Sequence, residues 1–405
     1  MICSRGFSIV NRQFIRIMQS QRFWIDNLRQ YASIRDLKHS AFFLDFGPEI
    51  LSFLKTPQLC ELPGVTPRIG SFARITQWNI EKGKRFEAIA ERLQTDELLR
   101  WSDIVILNEA DVGMNRSHNR HVARELAEIL GMNMAFGPAH LELTKGTGNE
   151  LEIEGENSGS LQGNAILSRY PVLESCIIPL PVTFEPYEFH ERRFGGRSCL
   201  WARLQLNRGS VWVGAVHLEL RNTPACRALQ ILHIMKNLPG TEEDAHILGG
   251  DMNTNSFARG TSWRMLKSLS RFVFNAPAEL RAQLLHPDSG REPLFEILEN
   301  HGFSWREFNS YEETARTAIG SLEESDSLPD SISGLIRRRL EPYGGYLCFK
   351  LDWILGKHVR ALRPGQKCDE RTGVKSLAPG CRVGPNAGPD RVSDHLPIYA
   401  DVDLN

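Results

Sequence analysis

The chain has 405 residues, 41% of them hydrophobic and 24% charged, with a formal net charge of −1. That balance is ordinary for a globular protein able to bury a large core. A near-neutral total gives no global pull toward nucleic acid or an anionic membrane, which argues against nonspecific DNA binding. No apolar run reaches the roughly 18–20 residues needed to span a bilayer.

In chain order, residues 1 to 70 read as a mainly helical extension ending in the linker "ELPGVTPRIG", and residues 71–405 as the main domain. Arg5, Arg12, Arg16 and Arg22 precede the first acidic residue, Asp26. An organellar transit peptide has that composition, but an amphipathic arm that packs through Phe14, Ile17 and Met18 is the preferred expectation. The eight cysteines show no metal or redox spacing, so a reducing, cytoplasmic setting is expected. Cys368 and Cys381 are the one pair suitably placed for a bridge.

From Phe72 onward, short apolar runs alternate with helical patterns. "FARITQWN" predicts a strand, followed by Phe86, Ile89, Ala90 and Leu93 at helical spacing. "DIVILNE" predicts a buried strand. Val122, Leu126, Ile129 and Leu130 predict a helix that stops at Gly131. "GNAILS", "SCLWARLQL" and "VWVGAVHL" predict three more strands. Thr223 and Pro224 have the chemistry of an N-cap and a first helical turn. "AHILGG", "LDWIL" and "LPIYADV" complete the strands. Asn255 to Leu351 and a Gly/Pro-rich stretch starting at Arg363 are long and irregular, as lids and substrate walls often are.

Polar residues collect where these apolar runs end. Asn79 and Glu81 follow "ITQW", and Glu109 and Asp111 follow "IVIL". His217 follows "VWVGAV", and Asp251 and Asn253 follow "HILGG". Asp352 opens "WIL", and Ser393, Asp394 and His395 precede the last strand. Each alone has an ordinary reading, such as a strand-end amide, a surface ion pair or a core imidazole. Together they would bury several charges close to one another, which is costly unless a cation and an anion stand among them.

The stretches "QWNIEKG", "ILNEAD", "GNAILSR", "VHLEL", "GGDMNTN", "LDWIL" and "SDHLP" resemble, in order, the motifs of the endonuclease/exonuclease/phosphatase family of metal-dependent phosphoesterases, whose fold is deoxyribonuclease I-like. The resemblance covers residues 72 to 405. It implies an α/β fold, a four-layer α/β sandwich of two mixed sheets face to face with helices outside, and an active site at one end. It further implies Glu109 as the main Mg2+ ligand, with Asn79 and Asp394 assisting and Mn2+ as a substitute. Asp251 and Asn253 would orient water and phosphate, and His395, oriented by Asp352, would activate water or stabilise the phosphoryl charge. His217 would contact the phosphate or supply a proton. Asn79, Asn164, Arg116 and Arg197 complete the expected substrate contacts, the arginines because guanidinium matches phosphate bidentately. Sparse oxygen ligation suits magnesium, and no Cys/His spacing suits zinc.

The expected reaction is phosphate-ester hydrolysis, a phosphodiester in preference to a monoester. A nuclease is one alternative and a catalytically silent binding protein of the same fold another. "AVHLEL" differs from the stretch found in abasic-site endonucleases, and "LGGDMN" and "LDWIL" differ from inositol-polyphosphate phosphatases. The acidic stretch "LTKGTGNELEIEGENSG" makes a poor wall for a nucleic-acid groove. The sequence leaves the oligomeric state open.

Overall fold

The computed structural model describes residues 21–257, 270–271, 274–318, 334–335, 338, 341, 346–382 and 391–404. The expected packing of Phe14, Ile17 and Met18 lies outside them. The strands in chain order are β1 (Gln58–Cys60), β2 (Ala73–Asn79), β3 (Ile104–Val112), β4 (Asn133–Glu142), β5 (Leu161–Ser168) and β6 (Val172–Pro179). There follow β7 (Arg193–Gly195), β8 (Ser198–Gln205), β9 (Ser210–His217), β10 (Ala245–Asp251) and β11 (Ala315–Ala318). The last are β12 (Tyr346–Phe349), β13 (Asp352–Lys357), β14 (Arg360–Ala361), β15 (Gly380–Cys381) and β16 (Ile398–Asp403).

One sheet runs β1-β4-β5-β3-β2-β16-β14, with β7 on β4 and β15 on β16, and a second runs β13-β10-β9-β8-β6. Both are mixed: β2–β3 and β9–β10 are parallel pairs within otherwise antiparallel ladders. Between the sheets lie Ile75, Ile106 and Ile166 from the first and Leu200, Val213, Ile247 and Ile354 from the second. The outer face of the first sheet is covered by the helices Phe86–Thr95 and Val122–Leu130, and that of the second by Pro224–Lys236 and Leu294–Asn300. This is the four-layer α/β sandwich that the resemblance implied. Strands covered on both faces read as near-continuous apolar runs, which is why β2 and β3 were legible.

Local chemistry fixes the helix ends. The Thr223 side chain accepts from the Cys226 amide and Pro224 sits in the first turn. Gly131 takes φ 63° to end Val122–Leu130. β4 was not read from sequence because "GP" at 137–138 looks like a turn. The proline is tolerated because the pairing with β5 shifts register between Pro138 and His140, at a bulge. Trp24, Leu28, Leu37, Ile50 and Leu54 pack in one cluster with Leu107 and Met134 of the first sheet. Cys368 and Cys381 are both free thiols. No described helix is long and apolar enough to cross a membrane.

Candidate active site

Strand register assembles the centre. In β9, β10 and β13, His217 pairs with Asp251 and Asp251 pairs with Asp352, so the three residues share one rung. Neighbours on a rung point to the same face. The two glycines of "LGGD" make that close pairing feasible: a Cβ on Gly250 would lie 1.8 Å from the Val216 carbonyl oxygen. On the facing sheet, β2 ends with Asn79 opposite Asn108. One residue further along β3 a bulge interrupts the pairing with β5, and Glu109 takes φ 57° within it. Asn253 is likewise left-handed at φ 51°. Such backbone costs roughly 1–2 kcal/mol for a residue with a Cβ and persists where the surroundings enforce it, often at functional sites.

The Asp251 carboxylate is the meeting point. Its Oδ2 accepts from Asn79 Nδ2 at 3.1 Å and lies 3.4 Å from His217 Nε2 and 3.7 Å from His395 Nε2. Its Oδ1 accepts from the Asn253 amide at 2.9 Å. Asn79 Nδ2 also reaches Glu109 Oε1 at 3.3 Å. Behind His395, Asp352 Oδ2 stands 2.8 Å from Nδ1, and the Ser393 hydroxyl accepts from the His395 amide while donating to the Asn79 carbonyl. Thus Asn79, Glu109, His217, Asp251, Asn253, Asp352, Asp394 and His395 converge at one end of the sandwich.

The two imidazoles are held in opposite charge states. Burial alone would lower His395, but Asp352 and Asp251 outweigh it and hold the ring well above its ordinary pKa. His217 is pushed well below its ordinary value by burial, then by the Arg197 and His395 cations. Arg197 Nη1 donates to His217 Nδ1 at 2.9 Å, which leaves the ring proton on Nε2, facing Asp251. Burial and the neighbouring Asp352 raise Asp251 to about 7, against the pull of His395. Burial, Glu81 and Glu109 raise Asp394, again against His395. The Asp352 carboxylate, despite burial, is lowered by the His395 cation.

A cavity of about 740 Å³ opens over these groups, with Glu109, His217, Asp251, Asn253, Asp394, His395 and Arg197 in its wall. Two expected substrate contacts are turned inward. Arg116 is fully buried, forms a bidentate pair with Asp111 at 2.8 and 3.0 Å, and lies within ion-pair distance of Glu142, Glu150 and Glu191. Asn164 accepts from Asn108 and donates to the Ser198 carbonyl, deep in the sheet. The sequence reading missed Asn108 and Gln77. The Asn108 side chain accepts from the Asp251 amide and donates to the Val216 carbonyl, while Gln77 Nε2 holds Asp352 Oδ1 at 3.0 Å. Their signal was a polar side chain inside an otherwise apolar strand. Lys82, Lys84, Arg193 and Arg391 also reach the cavity wall, each tied to a carboxylate such as Glu150, Glu81, Glu191 or Glu142.

Two groupings offer ligands to a cation. Asp251, Asp352 and His395 present atoms within 4.8 Å of one another. Asp352, however, already spends one oxygen on His395 and the other on Gln77, so a cation there would unseat the imidazole's anchor. Glu109 and Asp394 face the cavity instead, and Asn79 bonds to Glu109. Glu109 and Asp394 supply the carboxylate oxygens that a hard divalent cation prefers, whereas Asn79, expected as a ligand, turns its Nδ2 to Glu109 and Asp251 while its Oδ1 accepts from the Glu81 amide.

The family described as Endonuclease/Exonuclease/phosphatase family matches residues 76–395. Among solved structures, the chain is similar to an endonuclease/exonuclease/phosphatase from Beutenbergia cavernae DSM 12333, at 18% identity over 83% of this chain and 72% of that one, with a TM-score of 0.46. A family protein from Leptotrichia buccalis C-1013-b gives 13% identity, 82% and 100% coverage and a TM-score of 0.45. The human Nocturnin catalytic domain with bound sulfate anion gives 15%, 86% and 96% coverage and 0.42. No curated protein matches the sequence.

Proposed function

The chain belongs to the endonuclease/exonuclease/phosphatase family, and from that premise we propose that it is a Mg2+-dependent phosphoesterase that hydrolyses phosphodiesters. What supports this most directly is the Asp251 carboxylate, met by Asn79, His217 and His395 while Glu109 and Asp394 look into the same cavity.

Each role follows from protonation state and position. Asp251, with its pKa raised to about 7, is a competent proton acceptor near neutrality, and with Asn253 it orients the attacking water. Asn253 Nδ2 is anchored on the Leu218 carbonyl at 2.9 Å, which fixes the amide's direction. His395, kept cationic by Asp352, places positive charge against the phosphoryl oxygens as they gain charge in the transition state. His217, neutral and protonated on Nε2, donates a hydrogen bond into the same space. Arg197 sits at the wall beside it. Glu109 and Asp394 would hold the cation, with the Asn79 amide orienting the Glu109 carboxylate; the cation when bound neutralises non-bridging phosphate oxygens. The inward-facing Asn164 and Arg116 are read as scaffold.

The test is hydrolysis of bis-p-nitrophenyl phosphate with Mg2+ or Mn2+, beside single-stranded and abasic DNA, RNA, sphingomyelin and inositol phosphates. Turnover is expected on the aryl diester, lost in chelator and lost in Asp251→Asn. Turnover that survives chelator discards the metal. A wild-type protein inert on the whole panel discards the enzyme.

A further inference from the structure

The cavity wall is not charged throughout. Besides the charged groups of its floor it is lined by the apolar stretch Pro181, Val182, Phe184, Pro186 and Phe189, and elsewhere by Ala315, Tyr346, Phe349 and Leu351. Phe184 and Phe189 meet edge to face at 5.3 Å, and the Arg221 guanidinium lies 4.2 Å from the Phe189 ring centre. The segment is tied at its root to the catalytic end: the Leu180 amide donates to the Arg197 carbonyl at 2.9 Å, and the Arg197 side chain donates to His217. Gln230 Nε2 holds the Pro181 carbonyl at 3.1 Å, and Asn222 holds that of Thr183.

Its far end is held by residues that precede the family match. The fully buried Tyr187 donates its hydroxyl to the carbonyls of Leu28 and Tyr31. Arg192 donates to the carbonyls of Arg29, Tyr31 and Tyr187, and its guanidinium lies 4.8 Å from the Tyr187 ring centre. The Ile34 amide donates to Glu188 at 3.1 Å, and Phe43 packs on Phe194 at 5.8 Å. A surface segment with so many partners of its own does not move freely.

We propose that residues 182–189 form the subsite for the organic group of the ester, that they take a flat apolar group, and that residues 28–34 hold this wall in place. The proposal rests on the phosphoesterase reading. Two half-buried rings beside a phosphate-binding floor suit an aryl or heteroaryl group carried next to the phosphorus. An anion-only site would have no use for them. Phe184 and Phe189 are the specificity determinants, and Tyr187 and Arg192 are positioning residues.

The test measures binding, so it does not depend on turnover. Calorimetry with Mg2+ present compares phenylphosphonate with methylphosphonate, two ligands that share a head group and differ only in the organic part. Wild type is expected to favour the phenyl ligand by about tenfold, the scale of one aromatic stacking contact. Phe189→Ala should reduce that ratio to about twofold or less with methylphosphonate binding unchanged. Tyr187→Phe, which deletes one hydroxyl, and Arg192→Ala should shrink the ratio too, and should speed amide hydrogen exchange across residues 182–189. Equal binding of the two ligands by wild type, or no binding of either, overturns the subsite. Unchanged exchange and an unchanged ratio in both positioning variants overturn the bracing. If wild type hydrolyses the aryl diester yet binds the ligands equally, the subsite falls while the enzyme stands.

Discussion

Two corners of the same cavity present an imidazole to one oxygen of Asp251, at 3.4 Å from His217 and 3.7 Å from His395. They differ in what stands behind the ring. A carboxylate, Asp352, backs His395, and a guanidinium, Arg197, backs His217. Burial pushes both rings toward neutrality, yet only His217 ends there, because the charge of the backing residue opposes burial in one corner and reinforces it in the other. The lesson is that the role of a histidine is set by its neighbour on the far side from the substrate. A catalytic centre can therefore hold a cationic and a neutral imidazole side by side at one pH.

The strongest way to break this comparison is to remove the carboxylate corner. His395→Ala and Asp352→Asn should each lower kcat/KM on bis-p-nitrophenyl phosphate by roughly 10²–10³-fold, the usual worth of one preorganised group that stabilises transition-state charge. Asp352→Asn retaining full activity would mean that the backing charge is idle. Next in size is Arg116→Met. It should cost about 3–5 kcal/mol in denaturant unfolding, because it strands the buried Asp111 without its paired cation, whereas Glu142 keeps Arg193. The refolded fraction should keep its KM, which separates this arginine from Arg197. A third variant, Arg197→Gln, should lower kcat/KM by on the order of tenfold, as expected when a residue that orients another is lost. Removing that cation lets the His217 pKa climb, so the neutral ring is lost at a higher pH than before. The acid limb of the kcat/KM profile should therefore move upward. A profile that does not move would show that Arg197 is not what keeps His217 neutral.

The smallest effect concerns a carboxylate at which burial dominates. Asp103 has one oxygen on the Arg68 amide and the other without a hydrogen-bond partner, and burial raises it to about 7. In the unfolded chain it titrates near 3.9. Stability from this group is therefore greatest below about pH 4 and declines as pH rises to 7. Asp103→Asn should leave Tm little changed at pH 4 and raise it at pH 8, as read by thermal unfolding across pH.

Much of the centre was legible because it hangs at strand ends. Asn79, Glu109, His217, Asp251, Asp352 and His395 each follow or open an apolar run, and a break from apolar to polar is visible in one dimension. Arg116 was misread for the opposite reason. "GMNRSHNRH" looks like a free basic loop, but the carboxylates that claim its arginine come from residues 111, 142, 150 and 191, and only folding gathers them. Asn108 and Gln77 escaped notice because they sit inside buried strands, where a lone amide reads as noise until its partners are known. The acidic stretch after Leu143 was read only as a poor nucleic-acid wall. In the fold its Glu150 reaches the cavity and binds Lys82 and Arg116. β4 was hidden by its own proline.

The rung shared by His217, Asp251 and Asp352 has a consequence for how this protein can change over generations. Inserting one residue into β10 ahead of Gly250 would turn Asp251 to the opposite side of the sheet and undo the centre at a stroke. Segments outside the ladders, such as 181–189, are under no such constraint. Their side chains can be recoloured while the chemistry stays put, provided that Tyr187 keeps its bonds to Leu28 and Tyr31.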